Sequence, residues 1–198
     1  DPRRALAALV DRFKAHGLTP VMDMELEFYL YDPTNARPIA PVSPVTGKRL
    51  DADGVLSIDE LDDFGSFFEE VYAACAAQGV PADSAIAENG IGQFEINLMH
   101  VDDPLRAADD AVLFKRIVRG LARKHGFAAS FMAKPYGERS GSGLHVHFSL
   151  LDSKGRNVFD DGSNDGSTTM RSAVGGLIES MPETTLLYAP HANSYRRL

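Results

Sequence analysis

Residues 144 to 151 alternate apolar and polar with a strict period of two: Leu144, Val146, Phe148 and Leu150 against His145, His147 and Ser149. Successive side chains of a strand point to opposite faces, so the segment predicts a strand with a core face and a chemical face. The pattern recurs twice. Met22, Met24, Leu26, Phe28 and Leu30 alternate with Asp23, Glu25, Glu27, Tyr29 and Tyr31; Phe94, Ile96 and Leu98 alternate with Glu95 and Asn97. If the three polar faces share one sheet, carboxylates and imidazoles converge. Such a cluster repels itself unless cations neutralise it.

Around these strands the pattern predicts helices. Residues 4–15 carry an apolar stripe of Leu6, Leu9, Val10 and Phe13. After the strand at 21–31, residues 32–56 hold Pro33, Pro38, Pro41, Pro44, Gly47 and Gly54 and read as a long irregular loop, of the kind that is functional or mobile. Ser57 and Glu60 form a capping box that opens a helix to about Ala77, stopped by Gly79 and Pro81. Short strands at 83–89 and 93–99 join across Asn89-Gly90 and Gly92. A helix runs from Pro104 to Gly126, then come strands at 128–133 and 144–151, a polar loop at 152–167 and a helix at 168–181. From the first strand the order is β-α-β-β-α-β-β-α. It predicts an α+β domain: a mostly antiparallel sheet with helices on one face, the polar faces lining an open cavity.

Composition narrows the class. A chain of 198 residues, 44% hydrophobic and 24% charged, supports one globular domain with a substantial core. A net charge of −8 argues against bulk nucleic-acid affinity. No apolar run approaches the ~20 residues of a membrane span. The one cysteine, Cys75, rules out an intramolecular disulfide and reads as a small buried thiol. The default compartment is the cytoplasm, with no nucleic-acid and no membrane partner. The chain opens on Asp1-Pro2 and stops after a Tyr-Arg-Arg run, and it reads as a piece of a larger protein.

Glu25 and Glu27 lie two apart on a strand, so both point into the cavity, and Glu88 and Glu95 flank a turn that brings them to the same side. With His145 they make an oxygen-rich, nitrogen-poor donor set that suits Mg²⁺ or Mn²⁺ better than zinc. The same glutamates also suit a solvent-facing strand whose carboxylates pair with lysines. His145 and His147 read either as a metal pair or as two polar residues on a wet face. The other histidines (His16, His100, His125 and His191) lack ligand spacing. The run Ser140-Gly141-Ser142-Gly143 after Lys134-Pro135 lacks the spacing of a P-loop or dinucleotide fingerprint and reads as a tight turn. Lys115, Arg116, Arg119, Arg123 and Lys124 read as a solvated helical face.

In combination these segments are more specific. Glu25-Leu-Glu27-Phe28, Glu88-Asn-Gly-Ile-Gly-Gln-Phe-Glu95, Phe131-Met-Ala-Lys-Pro135, Gly141-Ser-Gly-Leu-His-Val-His-Phe-Ser149 and Asn193-Ser-Tyr-Arg-Arg-Leu198 resemble, in order and spacing, the glutamine synthetase superfamily. The resemblance covers nearly the whole chain. It implies the catalytic-domain fold of that family, with a curved, mostly antiparallel sheet. The family's small N-terminal β-grasp domain and the C-terminal part of the catalytic domain lie outside residues 1–198.

The resemblance also implies roles. Glu27, Glu88 and Glu95 match the ligands of a first divalent metal; Glu25 and His145 match two ligands of a second. His147 and Ser149 sit where the family contacts the nucleotide phosphates. Gly141 matches the loop that holds substrate glutamate, His145 borders that substrate, and Arg197 matches the arginine that binds glutamate or its phosphorylated form. Glu88 and Arg197 are thereby the catalytic candidates. The implied cofactors are ATP and Mg²⁺ or Mn²⁺, two to three ions per complete site. The implied reaction is ATP-dependent ligation of the γ-carboxylate of glutamate to an amine through a γ-glutamyl phosphate, in a ring-shaped homo-oligomer. Ser140 stands where glutamine synthetases proper usually keep an asparagine. Met24-Glu-Leu-Glu-Phe-Tyr, Phe131-Met-Ala-Lys-Pro-Tyr136 and Asn193-Ser-Tyr-Arg-Arg197 are more similar to the γ-glutamylpolyamine (putrescine) synthetase branch. An organic amine is therefore the expected acceptor, with ammonia and a non-catalytic homologue as the alternatives. A metal hydrolase built on His145 and His147 is a further reading, one that predicts zinc dependence and activity without ATP. The fragment 1–198 alone is expected to be inactive.

Overall fold

The computed structural model describes residues 1–35, 37–52 and 54–197. In chain order the elements are α1 (Pro2–Ala15), β1 (Thr19–Tyr31), α2 (Ile58–Asp63), α3 (Gly65–Gln78), β2 (Ala82–Ala87), β3 (Gln93–Leu98), α4 (Pro104–Lys124), β4 (Ala128–Ser130), β5 (Leu144–Leu151) and α5 (Thr168–Tyr188), followed by a 3-10 turn at Ser194–Arg196. This is the expected α+β class, with every strand pair antiparallel.

The length of β1 organises the sheet. One edge pairs with β3, which pairs in turn with β2. The other edge is shared: β5 pairs with Thr19 to Leu26, and β4 with Tyr29 to Tyr31. Glu27 falls where one partner gives way to the other, and its backbone N–H is taken by the Gly143 carbonyl at 3.3 Å.

The apolar face of β1 and β3 makes the core. Leu26, Phe28, Leu30, Phe94 and Ile96 are buried against Phe64, Phe67 and Val71 from the α2–α3 segment and Phe114 and Val118 of α4. The Phe28 ring stands 5.3 Å from Phe131, 6.3 Å from Phe94 and 6.4 Å from Phe114, within the range of favourable aromatic pairs. Asp103 caps α4 by accepting from the N–H groups of Leu105 and Arg106, with Pro104 at the first helical position. On the face of α4 expected to be solvated, Lys115 and Arg119 lie over the Phe131 ring and Lys124 pairs with Glu70 at 2.7 Å.

Three expectations need correction. The helix expected from Ser57 to Ala77 breaks at Phe64, whose backbone leaves the helical geometry. The break lets the Phe64 ring enter the core, 5.4 Å from both Phe94 and Phe127. The last helix does not stop at 181 but continues through Pro182 to Tyr188. Proline removes one backbone donor; the hydroxyls of Thr184 and Thr185 donate to the Ser180 and Met181 carbonyls at 2.8 and 3.0 Å and satisfy acceptors around it. Finally, most of the apolar face of β5 does not join the core, and Leu150 at its end is the one apolar position of the face that is buried. Leu144, Val146 and Phe148 are 40–50% exposed. Among the described residues only Phe13 of α1 and Phe159 bring rings to Phe148, each at 5.9 Å.

Candidate active site

Strand register assembles the site. In β1, Asp23, Glu25 and Glu27 share one face. Across β3, Glu27 stands opposite Glu95 and Glu25 opposite Asn97; across β5, Glu25 stands opposite His145 and Asp23 opposite His147. Directly opposed residues bring their Cβ atoms within about 5 Å, so pairing alone gathers these groups. His145 Nδ1 lies 3.0 Å from Glu25 Oε2 and 3.8 Å from Glu95 Oε2, and His147 Nε2 lies 3.0 Å from Glu25 Oε1. Ligand atoms of Glu25, Glu95 and His145 fall within 4.8 Å of one another. Glu88 follows the end of β2 and feels the charges of Glu27, Glu25 and His145. Ser149 is the next residue on the polar face of β5 after His147, opposite Val21.

The electrostatics are those of crowded carboxylates. Burial, with repulsion from Glu25, Glu88 and Glu27, pushes the Glu95 carboxyl up to about 7. Burial and the neighbouring Glu27 charge raise Glu88 as well. Glu25 goes the other way. Burial disfavours its charged form, but hydrogen bonds with His145 and His147 outweigh that and hold the carboxyl below its ordinary value. Groups that repel one another in this way are relieved by a cation.

The residues fit a hard divalent ion. The donors are carboxylate oxygens with one imidazole beside them. Space is kept open by Gly143, where a Cβ would stand 2.7 Å from Glu27 Oε1 and 3.1 Å from His145 Nε2.

A loop at 139–143 closes one side. Tyr29 Oη donates to the Ser140 carbonyl at 2.7 Å, and Asn89 Nδ2 donates to Ser140 Oγ at 2.6 Å. Gln93 Nε2 donates to Glu27 Oε2 at 2.9 Å and to the Gly141 carbonyl at 3.0 Å. Arg197 Nη1 donates to the Ser142 carbonyl at 3.1 Å, and a Cβ on Gly141 would meet Arg197 Nε at 2.9 Å. Arg197 is held there because Asn193 bonds both the N–H and the carbonyl of Lys134, at 2.8 and 2.9 Å. The structure therefore brings Glu25, Glu27, Glu88, Glu95, His145 and His147 onto one face, and Gly141 and Arg197 onto its bordering loop.

Sequence reasoning passed over Gln93, Asn89 and Asp23 as individuals. Asp23 is buried, with Oδ2 3.4 Å from His100 Nδ1. Gln93 was legible: the alternation of β3 runs Gln93, Glu95, Asn97, one residue further back than the apolar positions suggest.

The chain matches, over residues 1–198, the family described as glutamine synthetase, catalytic domain. It is 42% identical to the gamma-glutamylputrescine synthetase PuuA of Escherichia coli, an alignment that covers 100% of this chain and 42% of that protein. It is 34% identical to the glutamine synthetase of Halobacterium salinarum, again over 100% of this chain and 42% of that protein. A solved GmaS/ADP complex superimposes with a TM-score of 0.87 at 30% identity, covering 100% of this chain and 44% of that one. The chain thus spans less than half the length of the relatives it matches.

Proposed function

We propose, from the premise that this chain belongs to the glutamine synthetase catalytic-domain family, that it supplies the metal- and phosphate-handling part of an ATP-dependent glutamate–amine ligase. The observation that carries this reading is the convergence of Glu25, Glu27, Glu88, Glu95 and His145 on one sheet face beside a loop tied to Arg197. Glu27, Glu88 and Glu95 would hold one Mg²⁺ or Mn²⁺, and Glu25 with His145 would hold part of a second. When bound, such ions neutralise the terminal phosphate and polarise it toward attack.

The chain's own groups do the rest. His147 and Ser149 continue the same face along β5 and would contact the nucleotide phosphates. The Gly141 loop presents backbone groups to glutamate, and its glycine admits the Arg197 side chain at close range. Arg197 would balance the charge of the γ-carboxylate and of the acyl phosphate formed from it. Glu88, as an ionised carboxylate beside the ion it helps to hold, would attract a cationic amine and help take its proton before the amine attacks the acyl phosphate. Proper placement and charge neutralisation supply most of the rate.

Identity to the gamma-glutamylputrescine synthetase and the serine at position 140 support an organic amine, a polyamine such as putrescine, as acceptor. The likeness to a glutamine synthetase supports ammonia as the second reading. By the same family argument the whole protein would add a β-grasp domain and the rest of the catalytic domain, form a ring of identical subunits, and work in the cytoplasm. No described helix is long and apolar enough to cross a membrane. Phosphate release by the full-length protein with ATP, Mg²⁺ and glutamate, against ammonium and a panel of amines, tests the reading. Release driven by putrescine with little from ammonium supports the polyamine branch. Strong release with ammonium moves it to ammonia, and none with any amine overturns the ligase.

A further inference from the structure

We propose that Gln93 is a positioning residue that couples the Glu27 carboxylate to the Gly141 loop, so that cation binding and glutamate binding reinforce each other. The inference rests on the preceding reading of the carboxylate cluster as a cation site beside a glutamate loop. Gln93 opens β3 and is 1% exposed. Its side-chain amide offers two N–H donors and a carbonyl acceptor. All of that capacity is placed: Nε2 donates to Glu27 Oε2 and to the Gly141 carbonyl, and Oε1 accepts from the Gly90 N–H at 3.0 Å.

These partners fix the orientation of the amide. Reversed, it would set Oε1 against two oxygen acceptors and an N–H against the Gly90 N–H. Gly90 leaves room for the Tyr29 hydroxyl and, beside it, for the amide, because a Cβ there would fall against Tyr29 Oη and 2.7 Å from Gln93 Oε1. The bond from Nε2 takes Glu27 Oε2 and leaves Oε1, the oxygen nearest the gap kept open by Gly143, for a cation. A carboxylate held this way has already lost the rotamer freedom that ligation would otherwise cost.

The same nitrogen holds the Gly141 carbonyl. Any rotation of Glu27 on metal binding pulls the amide, and the amide moves that carbonyl. Ordering of the loop by a ligand likewise steadies the amide and with it Glu27. Tyr29 and Asn89 also anchor the loop, but through Ser140, and their bonds there do not touch Glu27. The amide thus links the carboxylate itself to the loop, beside the backbone bond that Glu27 N–H makes to the Gly143 carbonyl.

The test is Mn²⁺ binding to the full-length protein, read by electron paramagnetic resonance without ATP and without turnover, in the presence and absence of L-glutamate. Glutamate should tighten Mn²⁺ at least about fivefold in the wild type. Gln93→Leu should weaken Mn²⁺ about tenfold and reduce the glutamate effect to near one. Gln93→Met, which keeps the bulk but offers neither donor nor carboxylate, should also lose the glutamate effect and serves if the leucine variant does not fold. Tyr29→Phe should weaken glutamate binding yet keep its effect on Mn²⁺. A folded Gln93 variant with the wild-type glutamate effect overturns the inference and leaves the proposed function standing. So does a wild type that binds Mn²⁺ without any glutamate effect, or a Tyr29→Phe variant that loses the effect as fully as the Gln93 variants. A wild type that binds no Mn²⁺ overturns the cation site and this inference with it.

Discussion

Glu95 shows how a single side chain records what the site is for. It lies on a core strand, buried, within reach of three other carboxylates, and its proton is retained up to about pH 7 instead of the ordinary 4.5. Between those two pH values the folded state binds more protons than the unfolded chain. The stability contributed by this group is therefore full below about 4.5 and is lost as pH rises through about 7. A cation competes for the deprotonated form. Added Mg²⁺ should raise the melting temperature little near pH ~5.5 and substantially near pH ~8; an equal rise at both, by scanning calorimetry, contradicts the site. Gly143 makes the complementary case. Gly143→Ala places a methyl 2.7 Å from Glu27 Oε1 and should weaken Mn²⁺ binding about tenfold or more while leaving the fold intact. Unchanged Mn²⁺ affinity by titration would remove Glu27 from the ligand set.

At the scale of elements, β1 and α4 have separable duties. β1 pairs with three strands and positions the chemistry; α4 covers the apolar side with Phe114 and Val118 and is locked at its start by Asp103. Asp103→Ala should cost roughly 1 kcal/mol of stability with no change in Mn²⁺ affinity, because the cap lies at the end of a helix packed on the opposite face of the sheet. A loss of metal binding as large as the loss of stability would show that the two faces are not independent. The α2–α3 segment also departs from what its local pattern predicts. The Ser57 cap and Gly79 stop of the segment predicted as one helix are both real, but nothing in the local pattern marks Phe64 as a break. That break exists because the ring is needed between Phe94 and Phe127, residues far away in the chain.

For the molecule as a whole, the apolar surface left uncovered is the informative feature. Leu144, Val146 and Phe148 of β5 are exposed, and α5 buries none of its residues, with Ile178, Leu186 and Leu187 at 67–78% exposure. Exposed apolar side chains in such number mark an interaction face or an aggregation hazard. Residues 1–198 expressed alone should bind a hydrophobic dye strongly and release no phosphate from ATP with glutamate and any amine. Turnover by this fragment would show that the site needs nothing from the remainder of its relatives' length.

The chain alone sets the period of each strand. Alternation in β1, β3 and β5 sorts every side chain to a face, and it did so correctly for Glu25, Glu27, Glu95, His145 and His147 because backbone pleating leaves no other choice. Motif order pointed to the family on the same residues. The tertiary structure alone decided which strand lies beside which, and so that Glu27 faces Glu95 and Glu25 faces His145. It also decided that an amide on Gln93 joins a carboxylate to a loop 48 residues further on, and that Leu144, Val146 and Phe148 of β5 stay exposed while Leu150 is buried. Those outcomes depend on pairing partners distant in the chain, and local periodicity carries no information about them.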